Sequence, residues 1–189
     1  MLANAEFAKI RQRVASTLSG EVLEVGFGSG LNVPYYPPQV KRVQAVDPAT
    51  LGRKLAERRI TASPIPVEYL AFDGDALAVA DRSVDHVLVT WTLCTIPDVT
   101  ESLEEMYRVL RPGGQLHFVE HGLSPDPRVA HWQDRLNPLQ GWWAGGCHLN
   151  RPIDKLVEGA GFDMNELENF YARGPRPMGY LYEGTATKA

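Results

Sequence analysis

Glu24-Val25-Gly26-Phe27-Gly28-Ser29-Gly30 closes a short run of branched apolar residues, Val22–Val25, and places glycine at every second position. Glycine lets a backbone bend sharply and lets a ligand approach with no Cβ in the way. Three alternate glycines exceed what a tight turn requires. At the carboxyl end of a strand such a bend turns backbone amides towards whatever binds there. Glu24–Gly30 therefore reads as the ligand-binding turn that follows a first, central strand.

The flanking sequence fits that reading. Val43–Val46, Val67–Leu70, Val84–Val89 and Leu116–Val119 are further short apolar runs without polar alternation. Such runs suit strands covered on both faces, as in a parallel sheet. Helical stretches separate them. Phe7, Ile10, Val14 and Leu18 recur at helical spacing, Leu51–Ile60 is a second helix, and Val99–Leu110 is the clearest. There Asp98 is a plausible N-cap and Glu101 completes an arrangement like a capping box. Leu103, Met106 and Leu110 form the buried stripe, and Glu104 can pair with Arg108 one turn on. Pro112-Gly113-Gly114 then stops the helix. The alternation predicts an α/β, doubly wound sheet.

Between Ser124 and Arg151 the pattern changes. Pro125, Pro127, Pro138, the tryptophans Trp132, Trp142 and Trp143, and Gly145-Gly146 predict an irregular aromatic cap. A helix, Pro152–Ala160, closed by Gly161, and two strands, Met164–Tyr171 and Met178–Thr185, follow as an antiparallel hairpin on the sheet edge. The expected organisation is a single domain over 1–189, with an N-terminal helix (1–20), a ligand-binding core (21–123), the cap (124–151) and the C-terminal helix and hairpin (152–189).

Composition narrows the function. Asp and Glu number 23 against 19 Lys and Arg, for a net charge of −4. A domain built around phosphates usually carries the opposite sign, so no nucleic-acid partner is expected. Cys94 and Cys147 form no Cys-x-x-Cys pair. No apolar run approaches the ~20 residues of a membrane span, and no targeting segment stands out at the start. The expectation is a soluble, cytoplasmic domain without an integral membrane anchor.

Dinucleotide sites need Gly-x-Gly-x-x-Gly, but the last position is Leu31 counted from Gly26 and Val33 counted from Gly28. A nucleotide-linked oxidoreductase is therefore disfavoured. Asp47 ends the second strand, where a carboxylate can accept from both hydroxyls of a ribose; Asp47-Pro48 could equally cap the next helix. The acid-x-Gly-x-Gly-x-Gly pattern of residues 24–30 resembles motif I of the class I S-adenosylmethionine (SAM) methyltransferases. Arg108-Val109-Leu110-Arg111-Pro112-Gly113-Gly114-Gln115-Leu116 is similar to the helix, Arg-Pro-Gly-Gly, strand signature of their small-molecule branch, which includes quinone-biosynthesis enzymes. The likeness spans Glu21–His121.

This resemblance implies a Rossmann-like, mostly parallel seven-stranded sheet whose last strand is antiparallel. It implies SAM as cofactor and S-adenosylhomocysteine (SAH) as product. The implied contacts are Glu24, Gly26, Phe27, Gly28, Gly30 and Asn32 around the turn, Asp47 and Pro48 at the ribose, Asp75 and Ala76 at the adenine, and Thr90 and Trp91 after the fourth strand. Thr90-Trp91-Thr92-Leu93 is not the Asn/Asp-Pro-Pro-Tyr loop of enzymes that methylate nucleic-acid or glutamine nitrogen. Tyr36-Pro37-Pro38, Ser83-Val84-Asp85, Leu93-Cys94, Glu120-His121, Trp132-Gln133, Pro138 and Gly146-Cys147-His148-Leu149-Asn150-Arg151 look like segments of the membrane-associated thiol methyltransferases of animal cells. That narrower resemblance implies a thiol or another small, partly apolar acceptor. O- or C-methylation of a phenol or quinone and a non-catalytic SAM-binding module are the alternatives.

SAM brings an already activated methyl group, so the protein must hold a nucleophile in line and help remove its proton. His121, at the end of the fifth strand, and His148, in the cap, are the candidate bases, both expected to overhang the cofactor cleft. His86 and His117 lie within strands and read as structural. Cys94, Cys147, His121 and His148 match no zinc spacing, and no metal is expected. Trp132, Trp142, Trp143, Tyr35 and Tyr36 either wall an apolar acceptor pocket or fill the core beneath the cap. Arg11, Arg13, Arg53, Arg58 and Arg59 read as helix-surface charges.

Overall fold

A computed structural model describes residues 4–70, 72–73, 76–143 and 146–189, with the side chains of 72–73, 76 and 141–143 excepted. Among the described residues nine strands and six α-helices follow one another in the order α1 (Ala5–Ala15), β1 (Gly20–Val25), β2 (Val40–Val46), α2 (Thr50–Thr61), β3 (Val67–Tyr69), β4 (Phe72–Asp73), β5 (Ala76–Leu77), β6 (Val84–Thr90), α3 (Val99–Val109), β7 (Leu110–His121), α4 (Pro127–Trp143), α5 (Ile153–Gly159), β8 (Phe162–Tyr171), α6 (Arg176–Gly179) and β9 (Tyr180–Lys188). Seven strands form one sheet in the order β3-β2-β1-β6-β7-β9-β8. The pairs β1–β2, β2–β3, β1–β6 and β6–β7 are parallel, while β9 is antiparallel to both β7 and β8. This is the expected doubly wound sheet with its antiparallel last strand.

The chain lays strands outward from β1 in one direction, then returns beside β1 with β6 and proceeds in the other. Val25 therefore faces Val89 across the reversal, and the ends of β1 and β6 open a crevice at the topological switch point. Both faces of the sheet are covered. Leu23, Val25, Val87 and Val89 pack with Leu103, Met106, Leu116 and Val157 on one side. Val22, Leu88 and Val119 pack with Phe7, Ile10 and Val14 of α1 on the other. Alternate residues of each strand thus feed different cores, which is why the runs carry no polar alternation.

Local chemistry explains the helix ends. Asp98 accepts from the Glu101 amide at 3.1 Å and caps α3 as expected. The helix nevertheless stops before Pro112. Leu110 is already extended (φ −68°, ψ 140°), and the residue preceding a proline, Arg111, is sterically pushed from the helical region. Arg111–Gly114 then forms a bulge inside β7, because Val84 pairs with Leu110 but His86 pairs with Gln115, which leaves the excess residues looped out. Arg108 does not pair with Glu104. It donates to Glu105 at 2.7 and 2.8 Å, to Asp81 at 2.5 Å, and to the carbonyls of Val79 and Leu77, so its fork ties α3 to the segment before β6.

The stretch expected to be irregular contains the 17-residue helix α4. Pro127 opens it, where a missing amide costs nothing, and Asp126 accepts from the Arg128 amide at 2.9 Å. Gln133, buried, accepts from the Ser124 amide and donates to the carbonyls of Gly122 and Pro177. With Val129 its only buried apolar residue among those whose side chains are described, α4 has almost no apolar stripe; polar tertiary bonds hold it, and hydrophobic periodicity does not show it.

His86 and His117 are structural, as expected: His86 Nδ1 lies 2.9 Å from His117 Nε2, and His86 Nε2 lies 3.1 Å from Ser19 Oγ. Burial, and then the neighbouring His86, push the His117 imidazole down to about 3. The unfolded chain binds this proton near pH 6.5 and the folded one does not until about pH 3, so the contribution to stability is whole above about pH 6.5 and is lost as pH falls. Urea unfolding across this range should show the wild type losing up to about 1.4 kcal/mol per pH unit relative to His117→Gln. Parallel curves for the two proteins would mean that His117 titrates normally.

Candidate active site

The turn after β1 is shaped by positions that only glycine fills well. Gly26 has φ +76°, and a Cβ there would lie 2.0 Å from Thr92 Oγ1. Gly28, at φ +54°, would meet nothing closer than 3.9 Å; its conformation, not crowding, requires glycine. Its amide donates to Asp47 Oδ2 at 2.6 Å, and Asp47 Oδ1 accepts from the Ala49 amide at 2.7 Å. The α2 N-cap is Ala49, without a side-chain cap bond, so Asp47 does not cap the helix and Pro48 is not its first residue. The carboxylate instead ties the end of β2 to the glycine turn and keeps lone pairs for a ribose diol.

Beneath the turn lies a closed polar network. Glu24, 1% exposed, accepts from Asn32 Nδ2 at 2.9 Å and from the Tyr36 hydroxyl. Asn32 Oδ1 accepts from Arg11 Nη1 at 2.7 Å, and Thr90 Oγ1 accepts from both Arg11 and Asn32 at 3.1 Å. Burial raises the Glu24 carboxyl to about 7, opposed by its bonds to Tyr36 and Asn32. Burial also lowers the Arg11 guanidinium, opposed by Glu24. Arg11 is thus no surface charge. It follows Phe7 by four residues on the buried stripe of α1, and that spacing is the signal that could have found it. Arg59 is likewise engaged, donating to the Ser29 carbonyl at 3.0 Å. Arg13 pairs with Glu183 at 2.5 Å, and Arg53 lies over the Tyr69 ring.

Trp91 follows β6 with φ +51°, unusual for a bulky residue. Its amide donates to Val119 O at 2.8 Å, Phe7 meets it edge-on at 5.2 Å, and the Arg11 guanidinium stacks 4.6 Å from its centre. These contacts hold a conformation that costs of order 1–3 kcal/mol elsewhere.

Together these elements enclose a cleft of about 880 Å³, towards the upper end of the roughly 300–1,000 Å³ of ligand sites. Gly26, Phe27, Gly28, Asp47, Pro48, Thr90 and Trp91 line it, joined by Arg11 and by Thr92, Thr95, Ile96, Asp98, Glu101, Glu105 and Met106 from the loop after β6 and from α3. Glu24, Gly30 and Asn32 do not line it; they support the turn from below. Asp75 lies outside the described residues, and of Ala76 only the backbone is described. Leu77 borders the cleft.

His121 and His148 do not overhang this cleft. His148 lies against the Cys94 carbonyl, its amide at 2.7 Å and its Nδ1 at 3.2 Å. His121 stands beside Cys94 and Cys147, and the three ligating atoms lie within 4.8 Å of one another. Both histidines are drawn aside because the loop after β6 folds back between them and the cleft. Among the described residues nothing from 124–151 lines the cleft: Trp132 is 53% exposed, and Tyr36 is taken by Glu24. The side chains of Trp142 and Trp143 are outside the described set.

Residues 23–118 match the family described as "Methyltransferase domain". The chain is 34% identical over 172 residues to the rat thiol S-methyltransferase TMT1B, covering 86% of this chain and 68% of that one. Among solved structures, a methyltransferase (BH2331) from Bacillus halodurans C-125 superposes with a TM-score of 0.80 at 20% identity, covering 97% of this chain and 99% of that one. The N-methyltransferase NodS from Bradyrhizobium japonicum, in complex with SAH, superposes with a TM-score of 0.73 at 15% identity, covering 97% and 86%. The fold, the glycine turn and these likenesses place the chain in one family, the SAM-dependent methyltransferases, alongside the thiol S-methyltransferases. It is a methyl-transferring enzyme with SAM as cofactor. Among the described residues no helix is long and apolar enough to cross a membrane.

Asp47→Ala should weaken SAH binding by about 2–3 kcal/mol, the loss of hydrogen bonds to a charged group, which calorimetry would read as about 30- to 150-fold in Kd. Unchanged affinity with only ~1 kcal/mol less stability would return Asp47 to a purely local structural role.

Proposed function

We propose that this enzyme transfers the methyl group of SAM to the sulfur of a small, partly apolar thiol. The likeness to the rat thiol S-methyltransferase over most of the chain carries the reading. The site chemistry supports it. Gly26–Gly28 and Asp47 hold the adenosine end; Thr90 and Trp91 close the cleft from the neighbouring strand. Val25, Val46, Leu77, Trp91, Ile96 and Met106 offer an apolar surface to the acceptor. Lining the cleft among the described residues there is no histidine, lysine, cysteine or tyrosine; the proton acceptors there are the carboxylates Asp47, Asp98, Glu101 and Glu105, weak bases towards a phenol. A thiol, ionising near 8.5, supplies its own nucleophile near neutral pH, whereas a phenol near 10 depends more on a base. The thiolate sulfur attacks the methyl carbon, the bond to the sulfonium breaks, its electron pair stays on the departing SAH, and the thiol proton goes to solvent. The protein aligns the two sulfurs and excludes water.

A panel of alkyl thiols, phenols and quinones assayed by SAH release tests this. Thiols of moderate apolarity should turn over at least about tenfold faster than phenols of similar size. Preference for a phenol or quinone would replace S- by O- or C-methylation, and SAH binding without turnover of any acceptor would favour the non-catalytic module.

A further inference from the structure

Next to the cleft, but not part of it, three ligating side chains meet that lie far apart in sequence. Cys94 is in the loop after β6, His121 at the end of β7, and Cys147 between α4 and α5. Their Sγ, ring nitrogen and Sγ atoms fall within 4.8 Å of one another, and the two sulfurs are 3.4 Å apart. Two sulfurs bound to one tetrahedral zinc ion at about 2.3 Å each lie about 3.8 Å apart; the observed spacing is a few tenths of an ångström from that. A disulfide at about 2.05 Å would need a far larger movement. His121 Nδ1 is buried and has no hydrogen-bond partner among the described residues, and a buried ring nitrogen left without a partner calls for one.

The surroundings hold the loop firmly. Glu120, fully buried, accepts from the Thr92 amide at 2.7 Å and the Cys94 amide at 3.1 Å. Arg151 donates to the carbonyls of Leu93 and Ile96 from the other side. Glu120 stands outside the cluster of ligating atoms, which gathers Cys94, His121 and Cys147. The Cys147 thiol is drawn below its ordinary value by its hydrogen bond with Cys94, with the Arg151 charge acting in the same sense. Cys94 is pushed up to about 12 by that same bond and by burial. A soft cation would displace both protons.

We propose that Cys94, His121 and Cys147 form a binding site for a soft divalent cation, zinc above all, through two thiolates and one imidazole, with a fourth position open to an exogenous thiolate. Three protein ligands with one exchangeable position is the pattern of zinc sites that take up a reactant. A thiol on such an ion is deprotonated outright. Thr95, next in sequence to Cys94 and 3.6 Å from its sulfur through Oγ1, lines the cleft, so the site shares the loop after β6 with the cleft, and its use would be to ionise an acceptor thiol. That last use rests on the thiol reading above; the cation site itself does not.

The test uses the full chain, reduced with a phosphine and freed of metal, titrated with Co²⁺ followed by absorbance and with Zn²⁺ in competition with a chromophoric chelator. One equivalent should bind, with a thiolate-to-cobalt charge-transfer band that changes when 2-mercaptoethanol is added. Cys147→Ser, at a half-buried position, and His121→Ala should each weaken binding by about 100-fold while leaving SAH affinity unchanged. The absence of stoichiometric binding, or binding unaltered in both variants, would overturn the site. A cobalt spectrum indifferent to the added thiol would overturn the open position. Failure of SAH to bind would instead strike the methyltransferase reading and leave this one standing.

Discussion

An almost completely buried carboxylate has to be surrounded by donors, and the way Glu24 meets that demand organises the ligand-binding half of the molecule. Asn32 and Tyr36 reach it from the segment beyond the glycine turn, and through Asn32 the network extends to Arg11 on α1 and Thr90 at the end of β6. Three separate parts of the chain thus join one network beneath Glu24. Removing any partner would leave a polar group unpaired in a low-dielectric interior, where the penalty exceeds the worth of the bond itself. The turn is therefore held rigidly from beneath, and its upper surface is free to receive a ligand.

A second buried carboxylate does comparable work on the other side of the crevice. Glu120 gathers amides of the loop after β6, and Arg151 gathers its carbonyls. One side of that loop presents Thr92, Thr95 and Ile96 to the cleft, while Cys94 points to the sulfur and imidazole cluster. The cleft and the sulfur cluster thus share a wall fixed by the hydrogen bonds of Glu120 and Arg151.

The fold was legible because its determinants are local. Val22–Val25 and Val84–Val89 announce buried strands through composition, and Asp98 and Glu101 mark the start of α3. The helix α4 escaped because prolines and tryptophans mask a segment held by Gln133 rather than by an apolar stripe. Within the site, Gly26, Gly28 and Asp47 could be found from spacing after a strand. Arg11 falls on the buried stripe of α1 four residues after Phe7, a spacing that marks it as buried but not its partners, and the two histidines were misplaced because strand order says nothing about where a returning loop will lie.

The sequence by itself determined the alternation of strand and helix, the glycine turn and the acid that faces it, since each depends on neighbours along the chain or on a single residue's conformational range. Tertiary structure alone decided which distant side chains meet: Arg11 with Thr90, 79 residues apart, and Cys94 with Cys147, 53 apart. Such meetings depend on how a whole sheet reverses direction and how its loops fold back, and no short-range pattern encodes that.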